Sequence, residues 1–317
     1  MLKNLLVPLD GSLLAECVLP HAVSIAKAFN AQITLLSILE QPMESLGRPK
    51  ADPLDWYLQK TEANTYLDVV KKRLENNHVS VKTLLLEGRA LEQVIETAQT
   101  NNVDLLVLSS HGSHHANGWS VSGIVQQIVQ RTRTSTLIIP ASDANPAQMG
   151  DLLYRRLLVP LDGSRRAGYA VPFATALVQA HHAELMLVHV VSKPEMARHM
   201  PLTQEDAELI SRFVERNQEE GNQYLEQLRS HLPVDVQTRL LVSDNVAATL
   251  QSFSEQEQID LLILSAHGYS GEAKWPYGSV TNRFITDGTI PLLIVQDLPQ
   301  DSPDVSRDDV VIRQMAR

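Results

Sequence analysis

The chain has 317 residues, 44% hydrophobic and 20% charged, with 27 Lys+Arg against 37 Asp+Glu and a formal net charge of −10. That length suits two domains, and the apolar content excludes wholesale disorder. The acidic balance argues against a general nucleic-acid or membrane-surface binder, because both partners are anionic, yet it leaves room for a small anion held by backbone amides.

The chain enters the apolar run Leu5–Leu9 at once, with no h-region and no small-residue cleavage site. No apolar stretch approaches the roughly 20 residues of a membrane span. The single cysteine, Cys17, cannot form an internal disulfide or a cysteine-based zinc site. Together these predict a cytoplasmic protein. A helical pattern over Ala15–Phe29 follows, with Cys17 as a packed small hydrophobe. Next come an apolar run at Ile33–Leu39 and a long connection, Glu40–Asp55, holding Pro42, Pro49 and Pro53. That connection reads as a lid over a pocket or as a contact with the other half of the chain. A helix is predicted over Trp56–Asn76, a strand over Val79–Leu86, a helix over Leu91–Gln99, and strands over Leu105–Leu108 and Thr136–Ile139. The stretch Pro140-Ala-Ser-Asp-Ala-Asn-Pro146 is turn-rich and ends this series.

The series then repeats. Leu5-Leu-Val-Pro-Leu-Asp-Gly-Ser12 recurs unchanged as Leu157-Leu-Val-Pro-Leu-Asp-Gly-Ser164, a spacing of 157 − 5 = 152. Asp104-Leu-Leu-Val-Leu-Ser-Ser-His-Gly112 recurs as Asp260-Leu-Leu-Ile-Leu-Ser-Ala-His-Gly268, a spacing of 260 − 104 = 156. The second series has apolar runs at Leu157–Leu161, Leu185–Val191, Val234–Val242, Leu261–Leu264 and Pro291–Val295. The chain is thus a tandem duplication of a domain-sized unit. The divisions are domain one at 1–141, a linker at 142–154, domain two at 155–297 and a tail at 298–317. The predicted fold class is α/β: two tandem doubly wound domains, each a five-stranded parallel sheet with helices on both faces. The first and fourth runs of each series are almost solidly apolar, as strands covered on both faces require.

In such sheets a ligand lies beyond the carboxyl ends of the strands, at the switch in strand order. Two loops mark that place in each half: Asp10-Gly-Ser12 and Asp162-Gly-Ser164 after the first strand, and the segments after His111 and His267. Eight of the 14 glycines fall in these segments: Gly11, Gly112, Gly118, Gly123, Gly163, Gly268, Gly271 and Gly278. After Gly268 come nine residues and then Gly278-Ser279-Val280, where a helical pattern begins. The amides of Gly278, Ser279 and Val280 are expected to be free at that helix start and to form an anion site. Gly268 would let its loop fold back over it. Asp162 reads either as an acceptor for ribose hydroxyls or an adenine amino group, or as a turn aspartate before a capping Ser164.

These residues resemble the universal stress protein family, as a tandem two-domain member with Rossmann-like domains. The family signature is a glycine, two residues, a glycine, nine residues, then Gly-Ser or Gly-Thr. Ser265-Ala-His-Gly268, nine residues, Gly278-Ser279 matches it with Ser265 in place of the first glycine. The resemblance implies that Gly268, Gly278, Ser279 and Val280 contact the phosphates of ATP, which can carry Mg²⁺ with it. It implies that Pro160 and Asp162 lie against ribose and adenine, and that Val190 covers adenine. In the first half Pro8, Asp10 and Ile38 are in place, but the pattern reads Ser109-Ser-His-Gly112, nine residues, Ser122-Gly123, with the order inverted. Ser122 puts a side chain where backbone should approach phosphate, so weaker binding is expected there. The resemblance also implies pairing of the last strands, Thr136–Ile139 with Leu292–Val295, into an internal pseudo-dimer, and leaves a homodimer open.

Other chemistry is weaker. The loop carries His111, His114 and His115, but no cysteine and no evident carboxylate joins them as zinc ligands. Asp10 with His111 and Asp162 with His267 suggest an acid/base pair, but no nucleophile accompanies them, and His267 reads better as a loop-orienting group. Trp119 and Trp275 read as loop anchors. No Gly-X-Gly-X-X-Gly, Walker A or Gly-X-Ser-X-Gly motif occurs. The expectation is a non-enzymatic stress-response protein that binds adenine nucleotide mainly in its second half and acts through unknown protein partners. The alternatives are a scaffold with empty pockets and a slow ATP hydrolase.

Overall fold

The computed structural model describes residues 2–40, 52–111, 123–141, 152–193, 203–269 and 277–297. The first half runs β1 (Asn4–Pro8), α1 (Leu13–Glu16), α2 (Leu19–Phe29), β2 (Gln32–Leu39), α3 (Pro53–Glu75), β3 (Val81–Glu87), α4 (Ala90–Thr100), β4 (Leu105–Ser109), α5 (Gly123–Arg131) and β5 (Ser135–Ile139). The second runs β6 (Arg156–Leu161), a 3₁₀ turn (Ala167–Tyr169), α6 (Ala170–His181), β7 (Glu184–Ser192), α7 (Gln204–His231), β8 (Val236–Ser243), α8 (Val246–Gln256), β9 (Leu261–Ser265), α9 (Ser279–Asp287) and β10 (Leu292–Val295). Among the described residues no helix is long and apolar enough to cross a membrane.

Each half contributes five parallel strands, but the two sets are not separate sheets. The order is β3-β2-β1-β4-β5-β10-β9-β6-β7-β8, one sheet of ten strands. The halves meet where β5 and β10 pair antiparallel, with Leu293 opposite Leu137. Both strands are apolar and short, and pairing removes two edges that would otherwise offer unsatisfied backbone groups. One apolar layer, which includes Leu5, Ile25, Leu67, Leu157 and Leu225, covers one sheet face. A second, which includes Leu6, Val94, Val129, Leu262 and Phe284, covers the other. The same device sets strand order in both halves. The Asp104 carboxylate accepts the amides of Lys3 and Asn4 at 2.7 and 2.9 Å, and that of Asp260 accepts Arg155 and Arg156 at 2.6 and 2.9 Å.

Two readings of the sequence need correction. The helix expected over Ala15–Phe29 is two helices, α1 and α2, broken at Cys17–Val18. Pro20 has no amide hydrogen and its ring would clash with the carbonyl four residues before it, so it sits in the first turn of α2. The expected connection Glu40–Asp55 is shorter, because α3 begins at Pro53 with the Asp52 side chain accepting from Leu54 N; residues 41–51 of it lie outside the described residues. The expected linker ends in a fixed residue. Tyr154 is buried, stacks on His181 with centroids 5.4 Å apart, and donates its amide to His181 Nδ1 at 3.1 Å. Its hydroxyl meets His21 Nδ1 at 2.8 Å. His181 Nε2 lies 3.3 Å from Ser24 Oγ on α2, and Phe29 contacts Phe173. This seam between α2 and α6 is a further contact joining the halves.

Candidate functional site

Strand order reverses between β1 and β4 and again between β6 and β9, so each half has its crevice outside those carboxyl ends. In the second half the crevice is a cleft of about 920 Å³. All eight residues singled out there, Pro160, Asp162, Val190, Ser265, Gly268, Gly278, Ser279 and Val280, line it. They arrive from four places: the end of β6, the end of β7, the end of β9 with the loop after it, and the first turn of α9.

The anion cradle differs from expectation in one donor. Gly278 N donates to Ala266 O at 2.8 Å, so it is not free. That bond ties the start of α9 to the loop after β9, and Thr281 Oγ1 strengthens the tie by donating to Ser265 O at 2.9 Å. Gly278 is the N-cap and offers no side chain to the first turn of α9. The amides of Ser279, Val280 and Thr281 therefore face the cleft without a capping side chain at the positive end of the helix. Beside them lies Ser265, only 6% exposed, whose hydroxyl has no hydrogen-bond partner. An unpartnered buried hydroxyl costs free energy unless something fills the space before it.

Gly268 is needed for a steric reason. A Cβ built there would lie 2.2 Å from Asp162 Oδ2. Asp162 Oδ2 accepts Tyr269 N at 2.6 Å, and Oδ1 accepts Ser164 N at 2.9 Å. The aspartate thus latches the loop after β6 to the loop after β9, which favours the turn reading. An ionised carboxylate has further lone pairs, so the latch does not exhaust its capacity to accept. Gly278 is different: a Cβ there meets nothing closer than 3.7 Å, and its φ of −66° is ordinary. Its value lies in leaving the approach open.

His267 orients the loop, as expected. Its Nδ1 lies 2.7 Å from Asp297 Oδ1, and the Asp297 side chain is fully buried with Oδ2 3.5 Å from Arg166 Nε. Asp297, the last residue assigned to domain two, is thereby held in place; the expected tail, residues 298–317, lies outside the described residues. The proposed Asp–His pairs do not appear as hydrogen-bonded pairs. Asp162 serves the two amides, His267 serves Asp297, Asp10 Oδ1 accepts Ser12 N and Oγ, and His111 Nδ1 meets Ser110 Oγ. Among the described residues no group of three His, Cys, Asp or Glu side chains could hold a metal.

Sequence reasoning missed one wall. Helix α7 lines the cleft with Phe213, Asn217, Glu220, Gly221 and Tyr224. The signal was Gly221, a glycine inside a long helix, which disfavours helix unless packing demands it. A Cβ there would meet Leu240 Cδ1 at 2.7 Å and His189 Cδ2 at 2.9 Å, so α7 lies close on β7 and β8. His189 donates from Nδ1 to Leu161 O at 2.8 Å and meets Tyr224 edge-on. Burial first, then the charge of Asp162, pushes the Tyr224 phenol up to about 12.

In the first half Pro8 ends β1, Asp10 follows it, Ile38 lies near the end of β2, Ser109 ends β4 and Gly123 begins α5. Gly112 and Ser122 lie outside the described residues, as do His114, His115, Trp119 and Trp275. Ser109 differs from its counterpart Ser265: its hydroxyl donates to Leu14 O at 3.0 Å, because α1 lies against the end of β4.

The family model for the universal stress protein family matches residues 1–140 and 153–296. A universal stress protein of Methanocaldococcus jannaschii is 25% identical over 138 residues, 43% of this chain and 81% of that protein. One of Mycobacterium tuberculosis is 22% identical over 299 residues, 92% of this chain and 97% of that protein. A solved universal stress protein of Archaeoglobus fulgidus aligns with a TM-score of 0.65 and 16% identity, covering 93% of this chain and 98% of that one. That likeness establishes the shared fold.

Proposed function

The chain belongs to the universal stress protein family, and on that premise we propose that its second half binds an adenine nucleotide, ATP, with the phosphates against the first turn of α9. The observation that carries the proposal is the Ser265 hydroxyl, buried and without a partner, beside helix amides that no side chain caps. The uncapped amides at the start of α9 form a donor set for an anion, in a chain whose net charge would otherwise repel one. The apolar stretch formed by Val188, Val190, Val246 and Leu250 suits a flat base. Mg²⁺ would arrive on the phosphates, needing few protein ligands.

The reading is of binding rather than turnover. Among the described residues of the cleft, Asp162 and His267 hold loops together. Nucleotide occupancy would then act through conformation or through protein partners.

Calorimetric titration with ATP and Mg²⁺ tests the proposal. Wild type should bind with one site per chain, and Ser265→Ala should bind more weakly by roughly fivefold, the loss of one hydroxyl contact. No heat of binding at millimolar ATP would sink it and favour a scaffold with an unoccupied cleft. Phosphate release at steady state would show the hydrolase reading instead.

A further inference from the structure

Tyr277 stands immediately before the cradle glycine, yet its side chain points away from the cleft's own half. The ring is buried at 6% exposure in the apolar layer shared by both halves. Its hydroxyl donates to Val129 O at 2.9 Å, on α5 of the first half, 148 residues away. Val129 is in the last turn of α5, where carbonyls have no intrahelical donor and carry the negative end of the helix dipole. Tyr277 therefore caps the first half's helix from the second half. Gln296 Nε2 donates to the same hydroxyl at 3.3 Å, and Gln296 N donates to Ser135 Oγ of β5 at 3.1 Å. The next residue, Asp297, holds His267 and with it the loop that carries Gly268.

Both walls of the cradle are thus anchored on the seam: the Gly278 side through Tyr277, the Gly268 side through Gln296 and Asp297. We propose that Tyr277 is a positioning residue through which the first half sets the geometry of the second half's anion cradle, so that ligand occupancy and docking of the two halves are coupled. Coupling of this kind is reciprocal, so a ligand that fixes the cradle also tightens the seam. Burial pushes the Tyr277 phenol above its usual range, which keeps it a proton donor. The inference deepens the nucleotide reading and rests on it for the identity of the ligand.

Tyr277→Phe removes the hydroxyl and keeps the ring. Ile33→Val, in the buried part of β2, provides a variant that loses packing without touching cleft or seam. ATP affinity with Mg²⁺ is measured by titration, and amide hydrogen exchange is followed without ligand at Gly278, bonded to Ala266 O, and at Thr132, bonded to Ile128 O. Expected for Tyr277→Phe are about fivefold weaker binding or more, and faster exchange at both amides. Ile33→Val should leave affinity and both exchange rates unchanged. Unaltered affinity in Tyr277→Phe overturns the inference. So does weaker binding with Thr132 exchange unchanged, because the hydroxyl would then act within the second half alone. If wild type fails to bind ATP, the nucleotide reading falls by itself, and exchange at the two amides decides whether the coupling stands.

Discussion

Glu16 on α1 and Arg73 on α3 form an ion pair over the carboxyl end of β1. Glu16 is only 6% exposed. At the spacing that relates Asp10 to Asp162, its counterpart in the second half is Gly168, where an added Cβ would meet nothing within 4 Å. Tyr66 faces the same cluster, and burial, then Glu16 and Asp10, push its phenol above the usual range. The first half thus carries a buried ion pair where the second half has a glycine.

The consequence for stability follows from desolvation. Removing one partner leaves a buried charge uncompensated, which for deeply buried pairs costs about 3–5 kcal/mol. Arg73 is partly exposed, at 34%, so a cost of about 2 kcal/mol is expected for Arg73→Met. The double variant Glu16→Gln with Arg73→Met removes both charges and should recover part of that loss. Urea unfolding of the three chains checks it. A double variant no more stable than Arg73→Met would show that the guanidinium contributes packing rather than charge.

The latch makes a second prediction, in which two glycines of one motif behave differently. Gly268→Ala places a methyl in contact with Asp162 Oδ2 and must displace the carboxylate from Tyr269 N. Strain of about 1–3 kcal/mol is expected, with ATP affinity down by about tenfold, a loss of about 1.4 kcal/mol. Asp162→Ala frees the same amides and should weaken binding comparably, with little loss of stability, because the carboxylate is exposed. Gly278→Ala finds room and keeps an ordinary φ, so the fold should be untouched; Gly278→Val puts bulk in the ligand's approach and should abolish binding. Thermal melts and ATP titrations on the four variants separate these effects. Equal affinities for Gly268→Ala and wild type would show that the loop can yield at no cost.

The duplication, the strand series and the cradle were legible because each rests on a local pattern: solid apolar runs, strand-end glycines, and a helix start. The α7 wall was not, because Phe213, Asn217 and Tyr224 reach the cleft only through the long packing of that helix on β7 and β8, which Gly221 alone hinted at. Nor was the ion pair of the first half. Glu16 and Arg73 are 57 residues apart, and each alone reads as a solvated charge on a helix. The status of Gly278 N was hidden likewise, since its acceptor, Ala266 O, is set by the fold of the loop rather than by the helix it begins.

The seam between α2 and α6 carries a pH dependence. Burial lowers the pKa of His21 to about 4 from 6.5, and burial also lowers that of His181. His181 Nδ1 accepts the Tyr154 amide, so the folded chain holds this imidazole neutral, and a proton there would displace the amide. Because the folded pKa of His21 lies below its unfolded value, the unfolded chain binds more protons between about pH 4 and pH 6.5. Stability is then full above pH 6.5 and declines as the pH falls through that window. The depression of His21 corresponds to about 3 kcal/mol at most, at one pKa unit per 1.36 kcal/mol. His21→Gln keeps a group able to bond Tyr154 but cannot titrate, so the slope of stability against pH in that window should flatten. Urea midpoints from pH 4.5 to 7.5 for both chains measure this. Parallel profiles would mean that other groups, and not the imidazole at the seam, govern acid sensitivity.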